Sequence, residues 1–363
     1  MHKLFRNTFV LFIYMVSQSA EVFSQSKLPN HNPNLPFIGA KKNIWAGNPL
    51  LKGKYVNLEF PHTIGFKDVM KWKRMKNPYE AFKKTDTTKI KVFEGAEKAI
   101  TDTGDGIFWL GHATFFIRLG GKTFITDPVF GKVSGFMKRE SVLPISLDKL
   151  PKIDYLLMSH DHRDHCDKMS LKFLSKKNPQ MKYFAGLEMD KVLGGFMKGN
   201  EGQTAGWYQQ YTLENHVFKL WFLPTRHWCK RGLTDENIRL WGSFILEIDG
   251  LVIYFGGDSG YGSHYKETAE LFPKRDIAIL GIGAFEPEWF MESNHSSPAK
   301  AFQSFQDLNA TYMVPMHYGT FDLADEPVCL PGQLLNDIAI KQKKTQQVLI
   351  PLLGQNILEM IKK

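Results

Sequence analysis

From Gly106 onward the chain breaks into short apolar runs bounded by Gly, Pro and polar residues, the pattern of buried strands. Residues 108–110, 114–119 and 122–126 read as the first of them, the last two joined by a Gly120-Gly121 hairpin turn. Runs at 155–158, 217–223, 243–248, 251–255, 276–280 and 311–315 predict further strands. Helical spacing marks 167–177, with Met169, Leu171, Phe173 and Leu174 as its apolar set, and the stretches 265–272, 298–308 and 331–341. Strands and helices mix without a βαβ repeat of constant length, which predicts layered sheets with helices outside. No internal repeat is evident.

The first hundred residues differ. Lys3 and Arg6 precede an apolar run at 9–16, and Ala20 or Ser24 offers a cleavage point, so residues 1–24 read as a secretory signal peptide. The run is shorter than the roughly 20 apolar residues a membrane span needs. An uncleaved N-terminal anchor is the alternative, and no Cys follows the apolar core to suggest a lipid-modified terminus. Residues 25–105, rich in Pro, Asn and Lys, predict an irregular N-terminal extension packed on the domain, with helical character at 66–75. Residues 106–363 then form the functional domain of an exported, periplasmic or membrane-associated protein.

Charge and cysteine content narrow the partners. The net charge of +9 is spread along the chain, with Lys-rich patches at 71–76, 83–91 and 341–344. Such patches are solvated faces or are drawn to anionic lipid and phosphate surfaces. No nucleic-acid motif accompanies them, so no nucleic-acid partner is expected. Three cysteines cannot all pair, which excludes a disulfide framework. Cys166 and Cys229 each stand near a candidate ligand, and whether they pair, face a metal or simply pack as small apolar residues is open. So is the oligomeric state, a homodimer included.

The chemistry concentrates at 159–165, Ser-His-Asp-His-Arg-Asp-His, directly after the apolar run ending at Met158. His160, His162, Asp164 and His165 combine imidazole and carboxylate, which suits a borderline divalent ion such as Zn²⁺. The run at 220–224 leads to His227, that at 252–255 to Asp258 and that at 312–316 to His317. Strands ending at one sheet edge would bring all of these ligands together. By itself each of His227 and His317 reads as an ordinary loop residue; their shared place at strand ends makes them ligands.

His-Asp-His-Arg-Asp-His resembles the His-x-His-x-Asp-His signature of the metallo-β-lactamase superfamily. The resemblance, which runs from about Phe108 to the C-terminus, implies an α+β fold, a four-layer αββα sandwich. It also implies two divalent metal ions, here taken as zinc: His160, His162 and His227 on one, Asp164, His165 and His317 on the other, with Asp258 bridging. Arg163 and Asp161 are spacers in this reading. Trp-Leu-Gly-His-Ala-Thr at 109–114, Arg-His-Trp-Cys-Lys-Arg at 226–231, Gly-Gly-Asp-Ser-Gly-Tyr at 256–261, Phe-Glu-Pro-Glu-Trp-Phe-Met at 285–291 and Met-His-Tyr-Gly-Thr-Phe at 316–321 look like the branch of N-acylphosphatidylethanolamine-hydrolysing phospholipases D. That branch implies a phospholipid substrate and peripheral membrane contact. The first hundred residues match it poorly.

Two ions about 3.5–4 Å apart can share a hydroxide and polarise the oxygen it attacks, which favours hydrolysis of a phosphodiester by in-line attack on phosphorus. Asp164 is expected to orient the nucleophile and take part in proton transfer, or else to act as a ligand alone. Asp127 is the candidate to orient a ligand histidine, with an Asp-Pro turn as its plain reading. His112 is of the same kind, or it makes a structural hydrogen bond within its own turn. His295 is expected to donate to a phosphate or leaving-group oxygen, although helix capping by Ser296 or Ser297 also accounts for its polar loop. Trp228, Phe285, Trp289, Phe290 and Met291 are expected to line an apolar slot, unless they serve the core. Loops 135–139 and 195–198 pair Phe and Met with basic residues and are candidates to dip into a bilayer. The same site would also serve hydrolysis of lactones, amides or small soluble phosphodiesters. A di-iron redox role fits less well, because His162 stands where such members resemble a Glu.

Overall fold

The computed structural model describes residues 26–213 and 217–361; the expected signal peptide lies outside them. Within the N-terminal extension, β1 (Ser26–Asn30), β2 (Asn48–Leu51) and β3 (Lys54–Tyr55) form a small antiparallel sheet. Three short helices follow: α1 (Phe66–Arg74), α2 (Glu80–Thr85) and α3 (Ala96–Thr101). The extension is therefore more ordered than its composition predicts. Its strands are too short, and one register too shifted between Lys27 and Asn30, to leave an alternating pattern.

Two six-stranded sheets follow, each in sequence order. The first holds β4 (Gly106–Gly111), β5 (Thr114–Leu119), β6 (Lys122–Thr126), β7 (Tyr155–Met158), β8 (Lys182–Gly186) and β9 (Gly202–Ala205), with α4 (Lys168–Lys177) and α5 (Asp190–Phe196) in its connections. The second holds β10 (Gln209–Gln210), β11 (Phe218–Leu223), β12 (Ser243–Ile248), β13 (Leu251–Phe255), β14 (Ile277–Gly281) and β15 (Tyr312–Met316). Between and after these strands come α6 (His264–Leu271), α7 (Glu288–Met291), α8 (Pro298–Leu308), α9 (Leu330–Lys341) and α10 (Ile357–Ile361). Each sheet begins as an antiparallel meander and finishes with parallel pairs, β6 to β9 in the first and β13 to β15 in the second. This is a repeat of architecture that the sequence does not display.

Alternation along the strands builds the layers. Phe115, Ile117, Phe124, Leu157 and Phe184 of the first sheet share a core with Leu220, Phe222, Phe244 and Phe255 of the second. The other face of the first sheet, with Phe108, Phe116, Ile125, Leu156 and Met158, packs on Leu171 and Leu174 of α4 and Leu193 of α5. Phe302 and Phe305 of α8 and Leu335 of α9 join the core of the second sheet. Burial on both faces explains why these strands read as unbroken apolar runs. The unpredicted strands β8, β9 and β10 are short or carry Gly, Gln and Thr, so the same signal is weak in them.

Local chemistry sets several boundaries. Asp167 lies outside α4 as its N-cap, its carboxylate accepting from the Ser170 amide at 2.8 Å, and Ser297 caps α8 with Pro298 at its first position. The two loops expected at a bilayer diverge. Phe136 is 76% exposed, but Arg139 turns inward and donates to the carbonyls of Leu110, Val129 and Ser141. In the second loop Met197 is buried in the core behind α5, and Phe196 carries the charged ends of Lys168 and Arg231. Gly195 and Phe196 there belong to the last turn of α5, the Met197 amide donates to the Leu193 carbonyl at 2.7 Å, and Gly195 and Lys198 are exposed. Among the described residues no helix is long and apolar enough to cross a membrane.

Gly186, at the end of β8, has the Leu240 carbonyl oxygen 2.2 Å from where a Cβ would stand. Gly186→Ala should lower stability by about 1–3 kcal/mol, read as a lower urea midpoint at unchanged slope. An unchanged midpoint would mean that the 240 segment moves aside freely.

Candidate metal centre

The strand ends meet as the topology requires. β11 runs antiparallel to β12, and β12 to β13, so β11, β13 and the parallel β15 all finish at one edge. There they deliver His227, Asp258 and His317, and β7 of the facing sheet delivers His160. Gly257, with φ +55°, lets the turn before Asp258 lie against the 159 turn: a Cβ there would stand 2.8 Å from the Ser159 Cβ.

Among the described residues four overlapping groups could hold a metal, and two of them have four members. His160, His162, His227 and Asp258 form one, and His112, Asp164, His165 and His317 the other. In the first, His162 Nδ1 lies 3.0 Å from His160 Nε2 and 3.1 Å from His227 Nε2. Asp258 Oδ2 stands between the clusters, 3.1 Å from His165 Nε2, 3.2 Å from His317 Nε2, 3.7 Å from His227 Nε2 and 3.8 Å from His160 Nε2. Asp164 Oδ2 lies 3.1 Å from His112 Nε2, 3.6 Å from His317 Nε2 and 3.7 Å from His165 Nε2.

Outer hydrogen bonds fix which nitrogens face inward. His227 Nδ1 donates to the Asn294 carbonyl at 3.0 Å and His165 Nδ1 to Asp127 Oδ2 at 2.8 Å. His160 Nδ1 meets Ser159 Oγ at 2.8 Å, and that hydroxyl donates to Asp127 Oδ2 at 2.5 Å. With the Nδ1 hydrogens of His160, His165 and His227 held outward, their Nε2 atoms face the cluster centres as ligands of a divalent cation would, while His162 presents Nδ1. His165 Nε2, His317 Nε2 and Asp258 Oδ1 are buried without a hydrogen-bond partner.

The electrostatics fit the same cations. Burial pushes His160 and His227 well below the usual imidazole range, with neighbouring histidines adding to the effect for His160. Burial would lower His165 and His317 too, but the Asp258 and Asp164 carboxylates outweigh it, raising His165 and lifting His317 to about 9. Burial would likewise raise Asp258 and Asp164, and there the facing histidines win and pull both well down.

The remaining site candidates fall close by. Asp127 holds His165 and the Ser159 hydroxyl, and its Oδ1 accepts from the Ser159 amide at 2.8 Å. The His112 side chain touches Asp164, and burial lowers it to about 3. The His295 ring centre is 5.1 Å from that of His317 and 5.3 Å from that of His227, with Nδ1 3.7 Å from Asp258 Oδ2; burial lowers it to about 4. Trp228 stacks on His62 at 4.4 Å and meets the edge of His162. Phe290 stacks on Trp72, Trp289 lies under Lys71, and Phe285 is buried with its amide on Glu326. Cys166 and Cys229 are buried free thiols, raised by burial, Cys166 to about 12.

Three features escape the sequence. Asp161 and Arg163 join no ligand cluster, yet Asp161 is buried against Arg239 at 2.5 Å and Arg163 donates to the Arg231 carbonyl at 3.0 Å. Alternate residues of a turn need not all face one way, and here the ligands turn inward while Asp161 faces the 229–239 segment. His62 reaches the site from the extension, stacked on Trp228, and the extension carries no motif to announce it. Glu326 accepts from the Phe285 and Glu286 amides, fixing the loop ahead of α7, and only its burial identifies it. For Asp127, an Asp127→Asn chain should bind metal about 10–100-fold more weakly, as read by chelator competition. Unchanged affinity would remove Asp127 from the orienting role.

Comparison with known proteins agrees with this geometry. A family model described as the beta-lactamase superfamily domain matches residues 122–318. N-acyl-phosphatidylethanolamine-hydrolyzing phospholipase D 1 of Caenorhabditis elegans is 34% identical over 232 residues, covering 60% of this chain and 65% of that protein. The mitochondrial N-acyl-phosphatidylethanolamine-hydrolyzing phospholipase D of Saccharomyces cerevisiae is 30% identical over 267 residues, covering 69% of this chain and 54% of that one. The chain thus spans between about half and two thirds of the length of these relatives. In fold it is similar to Igni18, a metallo hydrolase of Ignicoccus hospitalis, with TM-score 0.54 at 18% identity over 70% of this chain and 97% of that one. An isothiocyanate hydrolase from Delia radicum gut bacteria gives TM-score 0.55 at 14% identity over 69% and 98%. Fold, clustered ligands and family match converge: the chain belongs to the metallo-β-lactamase superfamily and is a metal-dependent hydrolase.

Proposed function

We propose that the chain is a dinuclear zinc phosphodiesterase of phospholipase D type, acting on N-acylphosphatidylethanolamine. The observation that carries this reading is Asp258 Oδ2, placed between two ligand clusters where one carboxylate would reach an ion in either. The similarity to two N-acyl-phosphatidylethanolamine-hydrolyzing enzymes supports the choice of substrate. His160, His162 and His227 would hold one ion, and Asp164, His165 and His317 the other. When bound, the pair supplies Lewis acidity towards the phosphoryl oxygens and a water acidified towards neutral pH.

The protein's own groups do the rest. Asp164, oriented by His112, accepts a proton from the attacking water. A new P–O bond forms to water as the bond to the N-acylethanolamine oxygen breaks, giving phosphatidic acid and an alcohol that takes up the proton. His295, neutral because it is buried, donates an N–H to a phosphoryl or leaving-group oxygen. A cavity of about 140 Å³ between His295, Phe285 and Arg226 lies beside the centre and has room for the polar part of a leaving group. An exported protein in peripheral contact with a phospholipid surface completes the proposal, supported by the positive charge and by exposed Phe136 beside Lys138.

Metal analysis of the purified chain should give close to two transition ions per chain, and an active metal-free enzyme would sink the mechanism. Mass spectrometry of products from a lipid panel should show phosphatidic acid released from N-acylated phosphatidylethanolamine; turnover of lactones alone would overturn the substrate assignment. His295→Gln should reduce kcat by about 10²–10⁴-fold with metal content unchanged, and wild-type kcat would take His295 out of the reaction.

A further inference from the structure

Asp161 and Arg239 belong to neither ligand cluster, yet they are among the most deeply buried charges of the domain. Asp161 lies between His160 and His162 in the chain. Arg239 Nε donates to its Oδ2 at 2.5 Å, and Arg239 Nη2 pairs with Asp235. Arg231 Nη1 donates to the carbonyls of Asp161, at 2.9 Å, and of Cys166, at 2.6 Å, so it spans the ligand turn from near one end to the other. Asp235 Oδ1 accepts from the amides of Arg231 and Gly232, and Asn237 bonds back to Cys229 through both side chain and main chain. Residues 229–239 therefore close into a loop wrapped around the 161–166 turn. That loop starts two residues after His227.

We infer that the Asp161–Arg239 pair is a positioning clamp that sets the spacing between His160 and His162 on one side and His227 on the other. The inference rests on the two-ion reading of the centre. These three histidines come from facing sheets, and their inward nitrogens stand only 3.0–3.1 Å apart, so the first cluster needs a fixed distance between the two chain segments. A buried ion pair is a poor source of net stability, since apolar residues of the same size often serve as well. Its directed hydrogen bonds do something apolar packing does not: they fix both register and orientation. The second cluster has further holds that the first lacks, Asp127 directly on His165 and His112 on Asp164, so loss of the clamp falls mainly on the first.

The test uses the full chain, stripped and reloaded with zinc, in three forms: Asp161→Leu with Arg239→Met, which removes both charges; Asp235→Asn, which loosens only the outer grip on Arg239; and His227→Ala as the marker of the first cluster. Chelator competition gives the affinity of each equivalent, and thermal unfolding of metal-free protein reports folding. The double variant should unfold like wild type, keep one equivalent at wild-type affinity and bind the other about 10–100-fold more weakly. The weakened equivalent should be the one His227→Ala abolishes, and Asp235→Asn should weaken it to a smaller degree. Two equivalents at wild-type affinity in the folded variants, or equal weakening of both, would overturn the clamp. Should the double variant not fold, Asp235→Asn decides by the same criteria. A wild-type chain holding a single equivalent would instead overturn the two-ion reading from which the clamp is inferred.

Discussion

Lone pairs of like polarity, buried and facing one another, are the constraint around which this protein is built. In the first cluster His162 Nδ1 stands within hydrogen-bonding distance of both His160 Nε2 and His227 Nε2, more acceptors than one proton can serve. A carboxylate with five histidines within 4 Å adds the opposite charge at the centre. Nothing in such a set holds itself together without a cation, so the scaffold supplies the positions. The Asn294 carbonyl, the Ser159 hydroxyl and the Asp127 carboxylate grip the outer edges of His227, His160 and His165. Asp127 serves two ligands from one side chain, directly for His165 and through Ser159 for His160.

The sheets make this affordable to the fold by removing water from everything except the edge. Phe115, Phe222, Phe244 and Phe255 fill the space between the layers, and the ligands sit on the turns beyond them. A rigid core under short turns is what keeps catalytic groups close to a single geometry. The turns are not free either, for Gly257 leaves no room for a side chain against Ser159.

Much of the domain was legible because strands buried on two faces are apolar throughout and end abruptly. Thr114–Leu119, Lys122–Thr126, Ser243–Ile248 and Leu251–Phe255 coincide with the predicted strands residue for residue. The ligands were visible for the same reason, as polar residues that follow such runs. What stayed hidden depends on long-range partners. Gly202–Ala205 is a strand only because Tyr183 and its neighbours pair with it. Asp161 acquires its role from Arg239, 78 residues away, and His62 from stacking on Trp228. Residues 26–105 carry short strands whose pairing partners, rather than their own pattern, define them.

Each ligand cluster draws from both halves of the repeated architecture. The first takes His160 and His162 from the turn after β7, and His227 and Asp258 from the second sheet; the second joins Asp164 and His165 to His317. An ion bound there is thus a cross-link between segments more than 60 and as many as 153 residues apart in the chain. In a protein whose three cysteines are all free thiols, such coordination takes the place a disulfide holds elsewhere. It differs in being reversible, with a strength that follows the free-ion concentration. The durability of the sandwich is thereby coupled to metal supply, and a chain starved of metal would lose activity and its brace together.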